Sequence, residues 1–255
     1  MANDNVGFSR LLPSFQNKDE FFELIATEKN LGSRIWQSSM LLIGLLFFYG
    51  LIMGIYTGIL QALTAGIKVP VLFSLSLLIC FPAFFLLQFI LGSKMKLPQM
   101  TAIILSGFVQ TAAIMVSFTP IVIFFVLTGG NYHFLQLLHV AIFVLSGFFG
   151  MKTILDALKF SCEKKSVYPQ TGVVVFRFWV VILAFVGIQL AWNLRPFLAE
   201  RDMPYALFRK YEGNFYTAVI YSIQQLSQPE KEFKQPLVEP DGRFPLHPDT
   251  TKGMK

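Results

Sequence analysis

Five long apolar runs constrain this chain more than any other feature of its sequence. The runs are Met40 to Ala65, Val69 to Leu91, Leu97 to Thr128, Phe134 to Leu155 and Val173 to Leu194. A helix needs about 20 residues to cross about 30 Å of hydrocarbon, and each run is near or above that length. Backbone amides cannot stay unpaired in lipid, and the runs lack the alternation of barrel strands. The sequence therefore predicts an all-α fold, a polytopic membrane helix bundle with five transmembrane helices and flanking interfacial helices.

The charge content of the chain supports a membrane protein. Charged residues make up 14% of the chain, apolar residues make up 54%, and the mean hydropathy is +0.57. Soluble domains carry about 25% charged residues, so this chain has too few to cover a surface that faces water. Its basic residues lie between the apolar runs and form no single patch, so we expect a membrane and no nucleic acid as partner.

The apolar runs divide the chain into four parts. These are an amino-terminal segment with an amphipathic helix (1–35), the five-span transmembrane domain (36–195), an amphipathic, aromatic helical segment (196–226) and a proline-rich extended tail (227–255). Asn17 and Asn214 are the expected starts of the two flanking helices. Short connectors such as Gly66 to Lys68 make successive helices antiparallel neighbours, and a longer charged connector is expected from Asp156 to Gly172.

The second and third runs contain prolines at which we expect bends. The third run is too long for a straight span, and Pro120 supplies a place to bend because proline removes one helical hydrogen bond. The hydroxyls of Ser117 and Thr119 are near enough in sequence to satisfy the freed carbonyl. Pro82 is expected to bend the second run in the same way.

Lysine and arginine near the span ends predict the orientation. The amino-terminal segment and the second and fourth loops carry most of them, which places the amino terminus in the cytoplasm and the carboxyl terminus outside it. The basic residues of the carboxyl-terminal segment, beginning with Arg195, argue for the opposite orientation.

A glycine repeat marks one face of the first run. Gly50, Gly54 and Gly58 recur every four residues, and glycine lets two helix backbones approach closely in lipid. We expect this face to pack inside the chain more readily than against another subunit. Ser146 and Gly150 repeat the spacing in the fourth run and are the expected surface for it.

Polar residues inside the runs are few and mild. Gln110, Ser117 and His139 are candidates for a polar path, although a lone buried histidine is more often a packing residue than a proton carrier. The spacing of His133, His139 and His247 fits no metal site, and no phosphate loop, nucleophile elbow or acid pair is present. We expect no enzyme, no catalytic residue, no metal and no cofactor.

Aromatic residues concentrate after the fifth run. Arg195 follows Trp192 closely, and it is either an interfacial anchor or a ligand for a lipid phosphate or a partner carboxylate. Further along, an apolar helix face is predicted to contact a partner or lipid through Phe215, Tyr216, Val219 and Ile223.

Two short segments and the layout carry a family resemblance. The five runs, the lead-in "LLPSFQNKDEFFELI" at residues 11–25 and "GIKVPVLF" at 66–73 resemble the Yip family, membrane proteins that interact with Ypt and Rab GTPases. The resemblance covers residues 10–195, and 192–216, "WNLRPF" through "EGNFY", is similar to the uncharacterised bacterial branch. It implies a bacterial inner membrane and carries over no functional residue.

These features favour one functional hypothesis and leave another open. The first is a non-enzymatic membrane scaffold or accessory subunit of a larger membrane complex, with lipids and other subunits, or a second copy of itself, as partners. The alternative is a small transporter or channel with a path along the bent second and third spans.

Overall fold

The computed structural model of this protein describes residues 23, 31–163, 168–199, 207–208 and 215–227. The predicted amino-terminal helix, apart from Glu23, and the tail beyond Ser227 lie outside the described residues. The helices in the described part are α1 (Leu31–Gly54), α2 (Ile59–Ile90), α3 (Leu97–Ser117), α4 (Thr119–Leu127), α5 (Tyr132–Glu163), α6 (Gln170–Leu194) and α7 (Phe215–Ser227).

Five helical segments are long and apolar enough to cross a membrane. They are α1, α2, α3 together with α4, α5, and α6. The described residues contain no strand, so the prediction of an all-α bundle is confirmed. Large apolar side chains cover the outside of the bundle, including Phe89, Phe148 and Phe178, as expected of helices whose solvent is hydrocarbon.

The helices pack antiparallel around a shared core. Gly50 and Gly54 of α1 lie against the start of α2, while Trp179 of α6 donates a hydrogen bond to the carbonyl of Cys80 on α2 at 3.0 Å. Further contacts join α1 to α3 and α3 to α5, and the buried core includes side chains from all of these helices.

The bundle has two ends. The amino end comprises the start of α1, the connection from α2 to α3, the end of α5 and the start of α6. The carboxyl end comprises the turns from α1 to α2 and from α4 to α5, together with the end of α6 and residues 195–199. Each described connection joins ends of successive helices, so this assignment follows from the helix order.

The predicted position of the first turn is wrong. Gly66 and Lys68 lie inside α2, and the chain turns earlier, between Gly54 and Ile59. Gly58 there has a φ of 146°, a backbone conformation that glycine adopts without the steric cost of a side chain. The predicted connector beginning at Asp156 is also too long, because α5 continues to Glu163.

The glycine repeat packs inside the chain, but against a different helix from the expected one. A Cβ on Gly50 would lie 2.5 Å from the carbonyl oxygen of Ala65, and one on Gly54 would lie 2.5 Å from that of Gln61. Both glycines therefore permit the close approach of α1 to α2. Gly58 takes no part in this contact, since it lies in the turn and a Cβ there would have open space.

The second small-residue pair contacts α3. A Cβ on Gly150 would lie 2.5 Å from the carbonyl oxygen of Gly107 and would collide with the side chain of Thr111. Ser146, one helical turn earlier, is fully buried. The predicted packing of Gly50 and Gly54 against Ser146 and Gly150 is therefore wrong, because each set brings a different pair of helices together.

The third span is interrupted where proline predicts a bend. Phe118 separates α3 from α4, and Pro120 lies in the first turn of α4. The hydroxyl of Thr119 donates to the carbonyl of Val116 at 2.7 Å. Val116 is the residue whose carbonyl loses its usual amide donor when position 120 is proline. The threonine hydroxyl and a backbone N–H at the end of α3 donate to that carbonyl instead. In α2, by contrast, the helix continues through Pro70 and Pro82.

The close approach of α1 to α2 can be tested by adding one methyl group. We expect Gly50→Ala to lower the free energy of unfolding by about 1–3 kcal/mol, because the new Cβ has no room. The control is Gly44→Ala on the same helix, where a Cβ has nothing within 4 Å. Unfolding of both variants in detergent micelles checks this, and equal stabilities would contradict the packing.

Candidate functional site

Three polar side chains near the start of α2 bind the chain that follows α6. The side chains of Thr57, Gln61 and Lys68 form what we call the clamp. They bind residues 195–199 and 207–208, which we call the return segment. All the acceptors on the return segment are backbone carbonyls.

The bonds of the clamp occur at successive heights along α2. Thr57 donates to the carbonyl of Ala199 at 2.7 Å, and its hydroxyl accepts from the backbone amide of the same residue at 3.0 Å. Gln61, one turn into α2, donates to the carbonyls of Pro196 at 2.8 Å and Phe197 at 3.3 Å. The return segment therefore runs along the first turns of α2 towards the turn between α1 and α2.

Lys68 supplies the charged part of the clamp. Its side chain is 6% exposed, and its ammonium donates to the carbonyl of Pro196 at 3.2 Å and to that of Leu207. The same ammonium lies 4.8 Å from the ring centre of Phe208. A buried charge is costly unless it is hydrogen-bonded, and here carbonyl dipoles and an aromatic face surround the cation. Lys68 thereby fixes two separate parts of the return segment.

Arg195 begins the return segment and stacks on an aromatic ring. Its guanidinium carbon lies 3.6 Å from the ring centre of Trp192, one turn earlier in α6. This geometry agrees with an anchor at the end of a span. Its predicted role as a ligand for phosphate or carboxylate stays a prediction.

Helix α7 contacts the first turns of α5 around one buried serine. Ser222 is 1% exposed, and its hydroxyl donates to the carbonyl of Ala218 within α7 at 2.9 Å. Its Oγ also lies 3.3 Å from Nδ1 of His133 and 3.3 Å from Oε1 of Gln136 on α5. The ring of Tyr221 packs edge-on against the ring of His133, with centres 5.6 Å apart. These contacts hold α7 against α5 at the carboxyl end of the bundle.

The predicted contact residues of α7 divide between two environments. Phe215 and Val219 are half-buried, and they lie on the same side of the helix as Ser222. Tyr216 and Ile223 are exposed. The sequence identifies the helix and its apolar residues, but it does not indicate which of them the bundle covers.

The candidates for a polar path lie in different environments. Ser117 is exposed on the bundle surface and donates to the carbonyl of Ala113 at 2.9 Å. Gln110 is buried in α3. His139 is buried in α5, where its Nδ1 lies 2.8 Å from the hydroxyl oxygen of Tyr49. None of the described hydrogen bonds joins one of the three candidates to another.

Aromatic rings fill the bundle around the pair of Tyr49 and His139. The ring of Tyr49 lies 5.9 Å from that of Phe143, which lies 6.0 Å from that of Phe73. The ring of Phe73 in turn lies 6.0 Å from that of Phe108. These five residues come from α1, α2, α3 and α5, so the rings pack the interior where four helices meet.

The hydrogen bond between Tyr49 and His139 uses only one of the two ring nitrogens of the histidine. A neutral imidazole carries a single N–H, so the arrangement with the fewest unpaired groups has Tyr49 donating to Nδ1. In the described part of the chain Nε2 of His139 is buried and has no hydrogen-bond partner. The sequence does not predict this pair, because its members lie 90 positions apart.

A smaller polar cluster lies at the amino end. The side-chain amide of Gln88 donates to the carbonyl of Gly172 at 3.2 Å, and Tyr168 packs on the same glycine. Burial raises the pKa of Tyr168, and the neighbouring Cys162 raises it further. The described residues contain no group of three His, Cys, Asp or Glu side chains that could hold a metal ion.

Comparison of this chain with protein-family models, with curated proteins and with solved structures found no match. The resemblance to the Yip family therefore stays a prediction.

The coupling between Tyr49 and His139 can be measured with a double-mutant cycle. We expect Tyr49→Phe and His139→Leu each to lower the free energy of unfolding by about 1–3 kcal/mol, because each leaves a buried polar group unpaired. The double variant should cost less than the sum, since it removes both groups. Unfolding in micelles provides the measurement, and strictly additive losses would argue against the bond.

Proposed function

We propose that this protein is a non-enzymatic integral membrane scaffold, an accessory subunit of a larger membrane complex. Its five-helix bundle holds a carboxyl-terminal helix, α7, in a fixed position where another membrane protein can bind the carboxyl end of the bundle. The resemblance to the Yip family agrees with a role of this kind, because members of that family bind other proteins.

The observation that carries the proposal is the structural use of the polar side chains at the carboxyl end. Thr57, Gln61 and Lys68 are all engaged in holding the return segment, and Ser222 holds α7 against α5. Ordering a surface segment costs conformational entropy. The number of buried hydrogen bonds that hold this segment therefore indicates that a fixed position of the segment is important for function. A scaffold needs a surface of defined shape, and these bonds supply one.

The interior of the bundle supports a scaffold over the alternative of a transporter. Several hydroxyls inside the spans bond to their own helix backbones, as Ser76, Thr111 and Ser161 do. Aromatic rings pack the region around His139. A transport path usually uses converging polar or charged groups, and the candidates Gln110, Ser117 and His139 are not joined by the described hydrogen bonds.

The proposed location is a bacterial inner membrane, with the amino terminus in the cytoplasm. The lysines and arginines near the amino end, among them Lys94, Lys96 and Lys152, favour that side as the cytoplasmic one. The carboxyl end, with the return segment and α7, then faces the opposite compartment, and partner binding occurs there.

Co-purification with matched variants tests the proposal. We expect a stoichiometric partner to accompany the full chain when it is isolated gently from its native membrane. Ser222→Leu should lose that partner, because a larger side chain at a fully buried position displaces α7. Ser117→Leu makes the same chemical change at an exposed position and should retain the partner.

Two results would contradict the scaffold. One is the absence of any stoichiometric partner that Ser222→Leu removes. The other is solute flux into liposomes that contain only this protein, provided that Gln110→Ala abolishes it. The second result would favour the transporter.

A further inference from the structure

Helix α7 has three sides with different surroundings. Phe215, Ala218, Val219 and Ser222 face the bundle and are buried or half-buried. Tyr216, Ile220 and Ile223 follow one another at four and three positions, so they share a second side. They are 49%, 55% and 50% exposed. Thr217 and Gln224, also exposed, lie on the third side.

The position of α7 places its exposed apolar side next to the membrane. His133 and Gln136, which contact Ser222, are three positions apart on α5 and share one side of that helix. Leu135 and His139, four positions apart, face the core. Helix α7 contacts the first turns of α5 and also contacts α6, and both of these helices can span the membrane.

The composition of α7 favours lipid over a charged soluble partner on this side. Its sequence, FYTAVIYSIQQLS, contains no charged residue. An uncharged helix has no electrostatic means of attracting a charged soluble partner, whereas it can bury apolar side chains in lipid without desolvating a charge. Tyrosines such as Tyr216 favour the boundary between acyl chains and headgroups, because the ring is apolar and the hydroxyl is polar.

We propose that α7 is an interfacial helix that binds the lipid surface through Tyr216, Ile220 and Ile223. The second side of the helix enters the acyl-chain boundary of the leaflet at the carboxyl end, while Thr217 and Gln224 face the headgroups and water. Binding rests on burial of apolar surface, so it does not require anionic lipid. This inference goes beyond the proposed function, since it needs α7 docked on α5 but no protein partner.

Fluorescent labels on adjacent residues test this inference. Ile223→Cys and Gln224→Cys are each made in a background that carries Cys80→Ala and Cys162→Ala, and each is labelled with an environment-sensitive dye. The labelled chains are placed in phosphatidylcholine vesicles that contain no other protein. We expect lipids with a nitroxide on the acyl chain to quench the label at position 223 severalfold more than the label at 224.

A second label position and added salt serve as controls for the quenching experiment. Ile220→Cys should behave as Ile223→Cys does, and it replaces that variant if the latter does not fold. The quenching should persist at high salt and change little when anionic lipid is added, because α7 carries no charge. Equal quenching at 223 and 224 would overturn the inference. Protection of position 223 that appears only after a protein partner is added would also overturn it, in favour of a protein contact.

This test is independent of the proposed function. A failure to find a protein partner leaves the difference in quenching between 223 and 224 unaffected. Equal quenching at the two positions, in turn, leaves the co-purification result unaffected.

Discussion

A polar group that lies among apolar helices in hydrocarbon is costly unless it finds a partner within the chain, since water is not available to satisfy it. Lys68 shows how this requirement shapes the carboxyl end. It is the one charged residue of α2, and the carbonyls of Pro196 and Leu207 surround its ammonium together with the ring of Phe208. The return segment is thereby drawn onto α2. Gln61 and Thr57 extend the same contact towards the turn between α1 and α2.

Small residues decide which helices come close together. Gly50 and Gly54 bring α1 against α2, while Gly107 and Gly150 bring α3 against α5. In lipid the helices gain little from hydrophobic burial against one another, so close backbone approach and dispersion supply much of the packing energy. Rings fill the wider spaces between the helices, as Phe84, Phe176 and Trp179 do between α2 and α6. A bundle packed in this way can hold the carboxyl-terminal elements in a fixed position.

The sequence predicts the helices better than it predicts their contacts. Apolar length identifies the five spans, and Pro120 with its neighbouring hydroxyls locates the break in the third, because both are local properties of the chain. The sequence predicts the wrong position for the first turn, since a lysine between two apolar runs is typical of a connector. Lys68 lies inside α2 because the return segment, more than 120 positions later, satisfies its charge. No local pattern predicts the pairing of Tyr49 with His139 or of Ser222 with His133. The fold brings these residues together from distant positions in the sequence.

We infer that the return segment and Ser222 hold α7 at one position at the carboxyl end of the bundle. Spin labels at Leu60→Cys and Gln224→Cys, both exposed sites, test this when the protein is in lipid and the native cysteines are replaced. The distance distribution between the labels should be single and narrow. It should broaden when Lys68→Met and Ser222→Leu are introduced together. A broad distribution in the chain with an intact clamp would contradict the account.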